Sequence, residues 1–380
     1  SRTYLTGTKN WTINDGGVEA SVAPTLSSVT STKANGTYII GVLIPITLTF
    51  NEVVNVTGTP QITLETGGTD AVVNYSTGTG TNTLTFNYTV AAGHTSSDLD
   101  YVATTSLALN SGTIKDATNN NATLTLPSPG ATRSLGANKA LVIDGLAPTV
   151  TGTTVANNNS TIAVTFNQAV FNTSGGSGAL EVSDFALSIS GGVATVNATP
   201  SSISISGNVY TLGLNLSGTP SGAETLTVVP SGSTAIYDAA GNAASTTQSN
   251  NTVSLKDQVA PTVTGVTSTK ANGTYKAGVS IPITITFSEA VNVTGTPQIT
   301  LETGGTDAVV NYSSGTGTST LTFNYTVAAG HTSSDLNYVA TSSLALNSGT
   351  IKDAGLNVAT LTLASPAASG SLGANKAIVI

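Results

Sequence analysis

Ile44-Pro45-Ile46-Thr47-Leu48-Thr49-Phe50-Asn51-Glu52 places an apolar side chain at every second position and closes on a carboxylate. A period of two is the pattern of a strand with one face buried and the other wet. Ile281-Pro282-Ile283-Thr284-Ile285-Thr286-Phe287-Ser288-Glu289 writes the same strand again. Ile162-Ala163-Val164-Thr165-Phe166-Asn167-Gln168 is a looser third version that ends on an amide.

Working outward, residues 24 to 143 recur at 261 to 380 with an offset of 237 and no insertion, about 99 of 120 positions being identical. Residues 146 to 257 are a divergent relative between the two copies. Around the first strand, Leu84, Phe86, Tyr88 and Val90 repeat the alternation, and Ile62 with Leu64, Leu124 with Leu126, and Ala140 to Ile143 are expected as shorter strands. Asn35-Gly36, Thr66-Gly67-Gly68, Ser76 to Gly80 and Ala91-Ala92-Gly93 supply turns between them. In the middle copy the stripes are Ile162/Val164/Phe166, Tyr210/Leu212/Leu214/Leu216 and Leu226/Val228, and Ser174 to Gly178 reads as a surface turn. No window of ten residues or more has helical periodicity. About seven strands in roughly 120 residues is the grammar of an immunoglobulin-like β-sandwich, here without the Cys…Trp…Cys hallmark.

The expected organisation is all-β: tandem sandwiches in an elongated rod. Residues 1–23 are an N-terminal strand segment, followed by modules at 24–145, 146–258 and 259–380. Residues 1–23 read either as the end of a preceding module or as a strand donated to a neighbouring subunit. The joints Asp144-Gly145-Leu146-Ala147-Pro148-Thr149 and Asp257-Gln258-Val259-Ala260-Pro261-Thr262 are short, and each has a proline that fixes the backbone four residues after an Asp.

Composition removes several function classes. The chain has no Cys, so disulfides and Cys-ligated metals are excluded. Only 8% of residues are charged, the net charge is −8, and the 11 basic residues are scattered, which argues against nucleic acid. A mean hydropathy of +0.18 with regular alternation argues against disorder. No apolar run reaches the length of a membrane span. The two histidines, His94 and His331, are equivalent copies in an Ala-Gly-His-Thr turn. Ser96 and Asp98 are near in sequence but are expected to face solvent, so no triad and no enzyme is expected.

The acidic residues are few enough for their placement to matter. Glu52, Asp116 and Asp144 in the first module could gather with an Asn amide oxygen and backbone carbonyls at the joint to the next. That is a hard-oxygen set suited to calcium. The middle module offers Asp238, Asn242 and Asp257, with Gln168 in place of the Glu, and should bind more weakly or differently. The third offers Glu289, Asp353 and Asn357, and the chain stops one residue short of an Asp144 equivalent, so this set should need a continuing chain or a neighbour. The competing reading is that the Asp and Asn residues only form turns. Asp98 and Asp100 are expected to cap a loop, the alternative being that they join the calcium shell, and Glu65 and Asp70 to be solvated hairpin residues.

Ala-Pro-Thr-Val (147–150, 260–263), Phe-Ser-Glu-Ala-Val (287–291), Asp-Ala-Ala-Gly-Asn (238–242) and Ser-Leu-Gly-Ala-Asn-Lys-Ala (134–140, 371–377) recur in order. In them the chain resembles the repeat modules of large bacterial cell-surface adhesins. The resemblance implies an extracellular, non-enzymatic extension role, with calcium at joints falling on Glu52, Asp116, Asp144, Asp238, Asn242, Asp257, Glu289 and Asp353. Gln168, Thr118 and Leu356 depart from that pattern. The partners implied are neighbouring modules, like subunits, or a host or cell-surface glycan or protein. A self-assembling filament or surface-layer subunit joined by residues 1–23 is the rival expectation.

Overall fold

The computed structural model describes residues 22–380. The expected strand in residues 1–23 therefore lies, but for its last two residues, outside the described residues. The chain is all-β. In the first module the strands are β1 (Leu26–Ser31), β2 (Gly36–Ile39), β3 (Leu43–Thr57), β4 (Gln61–Leu64), β5 (Ala71–Thr77), β6 (Thr81–Thr89), β7 (Thr95–Ser96), β8 (Leu107–Ala108) and β9 (Thr113–Lys115). One helical turn, α1 (Leu135–Asn138), precedes β10 (Leu141–Asp144).

The main ladder runs β1-β3-β6-β5-β4-β8, and β9 pairs with the far half of β3. A second sheet, β2-β10-β7, is parallel between β2 and β10. The alternation in β3 determines which side is core. Ile44, Ile46, Leu48 and Phe50 are buried, as are Leu84, Phe86 and Tyr88 of β6, Ile62 and Leu64 of β4, and Leu141 and Ile143 of β10. Side chains from both sheets form one cluster, so the layers close over a shared core. Burying a Phe or Leu side chain contributes about 1.5–3 kcal/mol.

β3 and β5 each serve two ladders. Pairing of β3 with β6 breaks between Thr49 and Val54, after which β3 turns to β9. β5 pairs with β4 over Ala71–Asn74 and with β6 only at Tyr75 and Thr77. Leu124 and Leu126 are not strands: the segment makes only isolated bridges, Thr25 to Thr123 and Lys115 to Asn121.

The middle module contains β11 (Val150–Val155), β12 (Thr161–Phe166), β13 (Phe185–Ser190), β14 (Thr195–Val196), β15 (Ile203–Ser206), β16 (Val209–Gly213), β17 (Leu216–Ser217), β18 (Thr225–Pro230) and β19 (Thr252–Ser254). Its sheets are β11-β12-β16-β15, β13-β18-β19 and β14-β17, around a core of its own centred on Phe166, Phe185 and Tyr210. In the third module β20 (Val263–Ser268), β21 (Gly273–Thr274), β22 (Ser280–Thr294), β23 (Gln298–Glu302), β24 (Ala308–Ser314) and β25 (Thr318–Thr326) repeat the first-module pattern. It closes with β26 (Asn337–Tyr338), β27 (Leu344–Ala345), β28 (Thr350–Lys352), the turn α2 (Leu372–Asn375) and β29 (Ile378–Val379). A third separate cluster fills it.

The Ser-Leu-Gly-Ala-Asn-Lys-Ala motif is explained by packing. Ser134 Oγ accepts from the Ala137 amide, capping the turn. Asn138 Nδ2 then donates to the Val29 carbonyl and Lys139 Nζ to that of Lys33. The single turn thereby anchors β10 to β1. Asp100 holds the next loop, its carboxylate accepting from the Tyr101 and Gly130 amides. Glu65 is exposed and accepts from the Gly67 amide.

Candidate functional site at the module joints

β3 runs from one end of its module to the other, and this separates the acidic residues. At its start, Leu43 pairs with Thr89, on the side where β10 ends at Asp144 beside Thr95. At its far side, Asn51 exchanges hydrogen bonds with Thr25, and the Thr123 amide donates to Pro24. Glu52 and Asp116 therefore lie at the beginning of their module, and Asp144 lies at its end. The expected grouping of Glu52, Asp116 and Asp144 is corrected: the strand length separates them.

The set that forms pairs the Asp closing one module with the Glu (or Gln) and Asp opening the next. Asp257, Glu289 and Asp353 bring ligand oxygens within 4.8 Å of one another. The expectation that the third module lacks its Asp at Ile380 is corrected as well, since Asp257 fills that role from the preceding joint. Asp353 is buried, and Asp257 and Glu289 are half-buried. Asp257 Oδ1 accepts from the Val259 amide at 2.9 Å, fixing the joint loop. Asp353 accepts from the Asn357 amide and from its Nδ2, each at 2.8 Å. Burial, then Asp257, then Asp353 push the Glu289 carboxyl above its usual range. All three causes act in the same direction, as expected of crowded like charges.

The preceding joint has the same frame with a different electrostatic outcome. Gln168 Nε2 donates to the Leu146 carbonyl at 2.9 Å and to Asp238 Oδ2 at 3.3 Å. Asp238 Oδ1 takes the Gly241 and Asn242 amides at 2.7 and 2.8 Å. Asn242 was expected as an oxygen ligand. Instead its Nδ2 donates to Asp238 Oδ2 and to the Asp144 carbonyl, while its Oδ1 accepts from the Ile40 amide. Reversing the amide would set its oxygen against two oxygens and its NH₂ against an N–H, so this orientation is the one that satisfies all three neighbours. Asn242 is a strut between modules, and Asn357 repeats it by donating to the Asp257 carbonyl at 3.1 Å. At the front of the first module Asp116 accepts from the Thr118 and Asn120 amides, Thr118 Oγ1 and Asn120 Nδ2.

The donor chemistry fits a hard divalent cation at the second joint: three carboxylates, two of them pre-oriented by amide donors. At the first joint the Gln168 side-chain N–H donates to the Asp238 carboxylate, where the second joint has a third carboxylate.

Two features escaped sequence reasoning. Gly145 packs so closely that a Cβ would lie 2.4 Å from the Ala91 carbonyl and 2.6 Å from that of His94. Glu224 is fully buried, with Oε1 accepting from the Val193 and Ala194 amides and Oε2 from that of Ser221. Burial pushes its carboxyl up, but donation from the amides of Ala194, Ser221 and Val193 outweighs this and lowers it to about 2. The only signal for Glu224 was its setting among Gly and Ser, small enough for amides to approach. His94 is half-buried, its ring stacked on Tyr88 with Nδ1 3.0 Å from the hydroxyl, and His331 does the same on Tyr325.

No family model and no curated protein sequence matches the chain. Among solved structures it is similar to the I-band fragment I67-I69 from titin, at 9% identity and a TM-score of 0.28, covering 88% of this chain and 95% of that one. It is also similar to a structure titled "Putative membrane anchored protein from Corynebacterium diphtheriae", at 10% identity and a TM-score of 0.20, covering 93% and 91%. Among the described residues no helix is long and apolar enough to cross a membrane.

Proposed function

We propose that the chain is a non-enzymatic extension region of an extracellular bacterial adhesin or surface fibre, built from immunoglobulin-like modules and stiffened by calcium at a joint. The observation that carries this is the convergence of Asp257, Glu289 and Asp353 from two modules on one point. A cation there ties the end of the middle module to the loops that open the third. Asp353 and Glu289 would hold it from one side and Asp257 from the other, and the cation would supply the charge neutralisation that the crowded carboxylates need.

Three further observations support the reading. Each module fills its own core, so the units are mechanically independent except at the joints. The joints are short, and Pro148 and Pro261 are buried within them. Both histidines are engaged by tyrosines, which supports a role without catalysis. Small-angle X-ray scattering of the full chain tests the proposal. In calcium the longest dimension should be sharply defined; in chelator it should broaden and shorten as the second joint bends. Identical profiles would overturn the stiffening role.

A further inference from the structure

The duplicated modules and the middle one differ at one sheet edge. In the first module the ladder β1-β3-β6-β5 continues, because β5 also pairs with β4 over Ala71–Asn74. The middle module builds the matching ladder β11-β12-β16-β15 and stops there. β15 (Ile203–Ser206) pairs with β16 in unbroken register, and among the described residues nothing pairs with its other side. The edge of β1, by contrast, is covered: the Val29 amide donates to Arg133 and its carbonyl accepts from Asn138. β15 carries no Lys and no Pro, the residues that usually blunt an exposed edge.

The direction of its main-chain groups follows from the turn. Gly207-Asn208 is a two-residue hairpin connection, so Ser206 and Val209 form a hydrogen-bonded pair. Alternation then turns the groups of Ser204 toward β16 and those of Ile203 and Ile205 outward. The side chains alternate between the two faces of the sheet. Ile203 lies opposite Leu212 and Ile205 opposite Tyr210, both core residues, whereas Ser204 and Ser206 lie on the outer face. Ile203 packs on that core, yet Ile205 is 46% exposed although it stands on the core-facing side.

The strand also reads the same in both directions. Ser202-Ile203-Ser204-Ile205-Ser206 is a palindrome centred on Ser204. Set antiparallel to its own copy about that centre, Ile203 exchanges both main-chain hydrogen bonds with Ile205 of the second copy, and Ile205 with Ile203. Every outward group of Ile203 and Ile205 is then used. Directly opposite residues share a face, so isoleucine meets isoleucine on the core-facing side and Ser204 meets Ser204 on the outer side. A slip of one residue would set outward groups against inward ones and Ile against Ser. No Asp, Glu, Lys or Arg stands between Asp184 and Glu224, so two chains of net charge −8 meet here at a neutral stretch.

We propose that β15 pairs with β15 of a second copy of this chain about a twofold axis through Ser204, joining two four-stranded sheets into one. The contact is isologous and closes on two copies. Four residues of edge bury far less than the roughly 1,600 Å² of a standard interface, so a single contact is weak. Where many such chains stand side by side on one surface, as the extension role proposed above implies, the contacts add as avidity. The pairing itself depends neither on that role nor on calcium at the joint.

The chain has no Cys, so introduced thiols report the register directly. Opposite residues of a non-hydrogen-bonded pair have Cα atoms about 4.5 Å apart, within disulfide reach, and this is where Ser204 meets its copy. Ser206 lies on the same exposed face, but in this register its two copies stand about 13 Å apart. In chelator under mild oxidation, the full chain carrying Ser204→Cys should therefore form a disulfide dimer about tenfold faster than one carrying Ser206→Cys. Adding Ile205→Lys, which alters an exposed side chain, should bring the Ser204→Cys rate down to that of Ser206→Cys. The comparison of the two single variants stands however the lysine is accommodated. Equal rates for those two, or a Ser204→Cys rate that Ile205→Lys does not lower, would overturn the proposal.

Discussion

Gln168 donates its side-chain amide to the Asp238 carboxylate at 3.3 Å, at the position where the following joint sets Glu289 against Asp353. One amide-for-acid difference gives two joints of the same backbone plan opposite electrostatics. The first is satisfied by hydrogen bonds between its own side chains. The second gathers three carboxylates, the set proposed above to hold a calcium ion.

Exchanging the two residues should exchange the behaviour. Glu289→Gln is expected to remove the calcium-dependent rise in melting temperature of the third module. Gln168→Glu is expected to create such a rise at the first joint, with a loss of about 1 kcal/mol in chelator from the new like-charge contact. At a calcium concentration one hundred times Kd, a site present only in the folded state contributes about 2.7 kcal/mol. Calorimetric scans of both variants in calcium and in chelator measure it.

The Glu289 carboxyl is raised in the folded chain, so protonated Glu289 favours the fold. That contribution is fully present below the unfolded value and is lost as pH rises through the folded value. In chelator the third module should therefore weaken as pH climbs out of the carboxylate range, and calcium should cancel the decline. Glu289→Gln should flatten the profile, and thermal melts over a pH series follow it.

Glu224 behaves with the opposite sign. Its carboxyl falls from an ordinary 4.5 to about 2 on folding, so its contribution is present above the unfolded value and is lost as pH falls from there toward about 2. Glu224→Ala leaves the Val193, Ala194 and Ser221 amides without their acceptor. It should cost the middle module roughly 1.5–3 kcal/mol, read by chemical denaturation. The melts of the other two modules should stay in place.

Gly145→Ala tests the close approach at the first joint. The Gly145 amide donates to His94 and its carbonyl accepts from Gly93, and an added methyl has no room between those strands. Overpacking of this kind costs about 1–3 kcal/mol. The first module should melt earlier, and amide exchange at Gly93 and Gly145 should quicken.

The strands were legible because period-two alternation is a local signal: β3, β6 and their copies lie where Ile44 to Phe50 and Leu84 to Val90 place them. The acidic residues were legible as a set but not as partners. Which carboxylate meets which depends on which end of the module a strand exits, and that follows from the course of β3, not from spacing. Asn242 was singled out as a ligand, yet its role as a strut depends on the Ile40 amide, 202 residues away in sequence. Leu124 and Leu126 alternate like a strand but find only isolated bridges, since alternation marks burial whether or not a ladder neighbour is present.

Isothermal titration of calcium into the full chain and into Glu289→Gln tests the central claim most directly. The account predicts that the variant loses one binding site of the wild-type stoichiometry, while Asp144→Asn loses none. An unchanged stoichiometry in Glu289→Gln, or the loss of a site in Asp144→Asn, would contradict it.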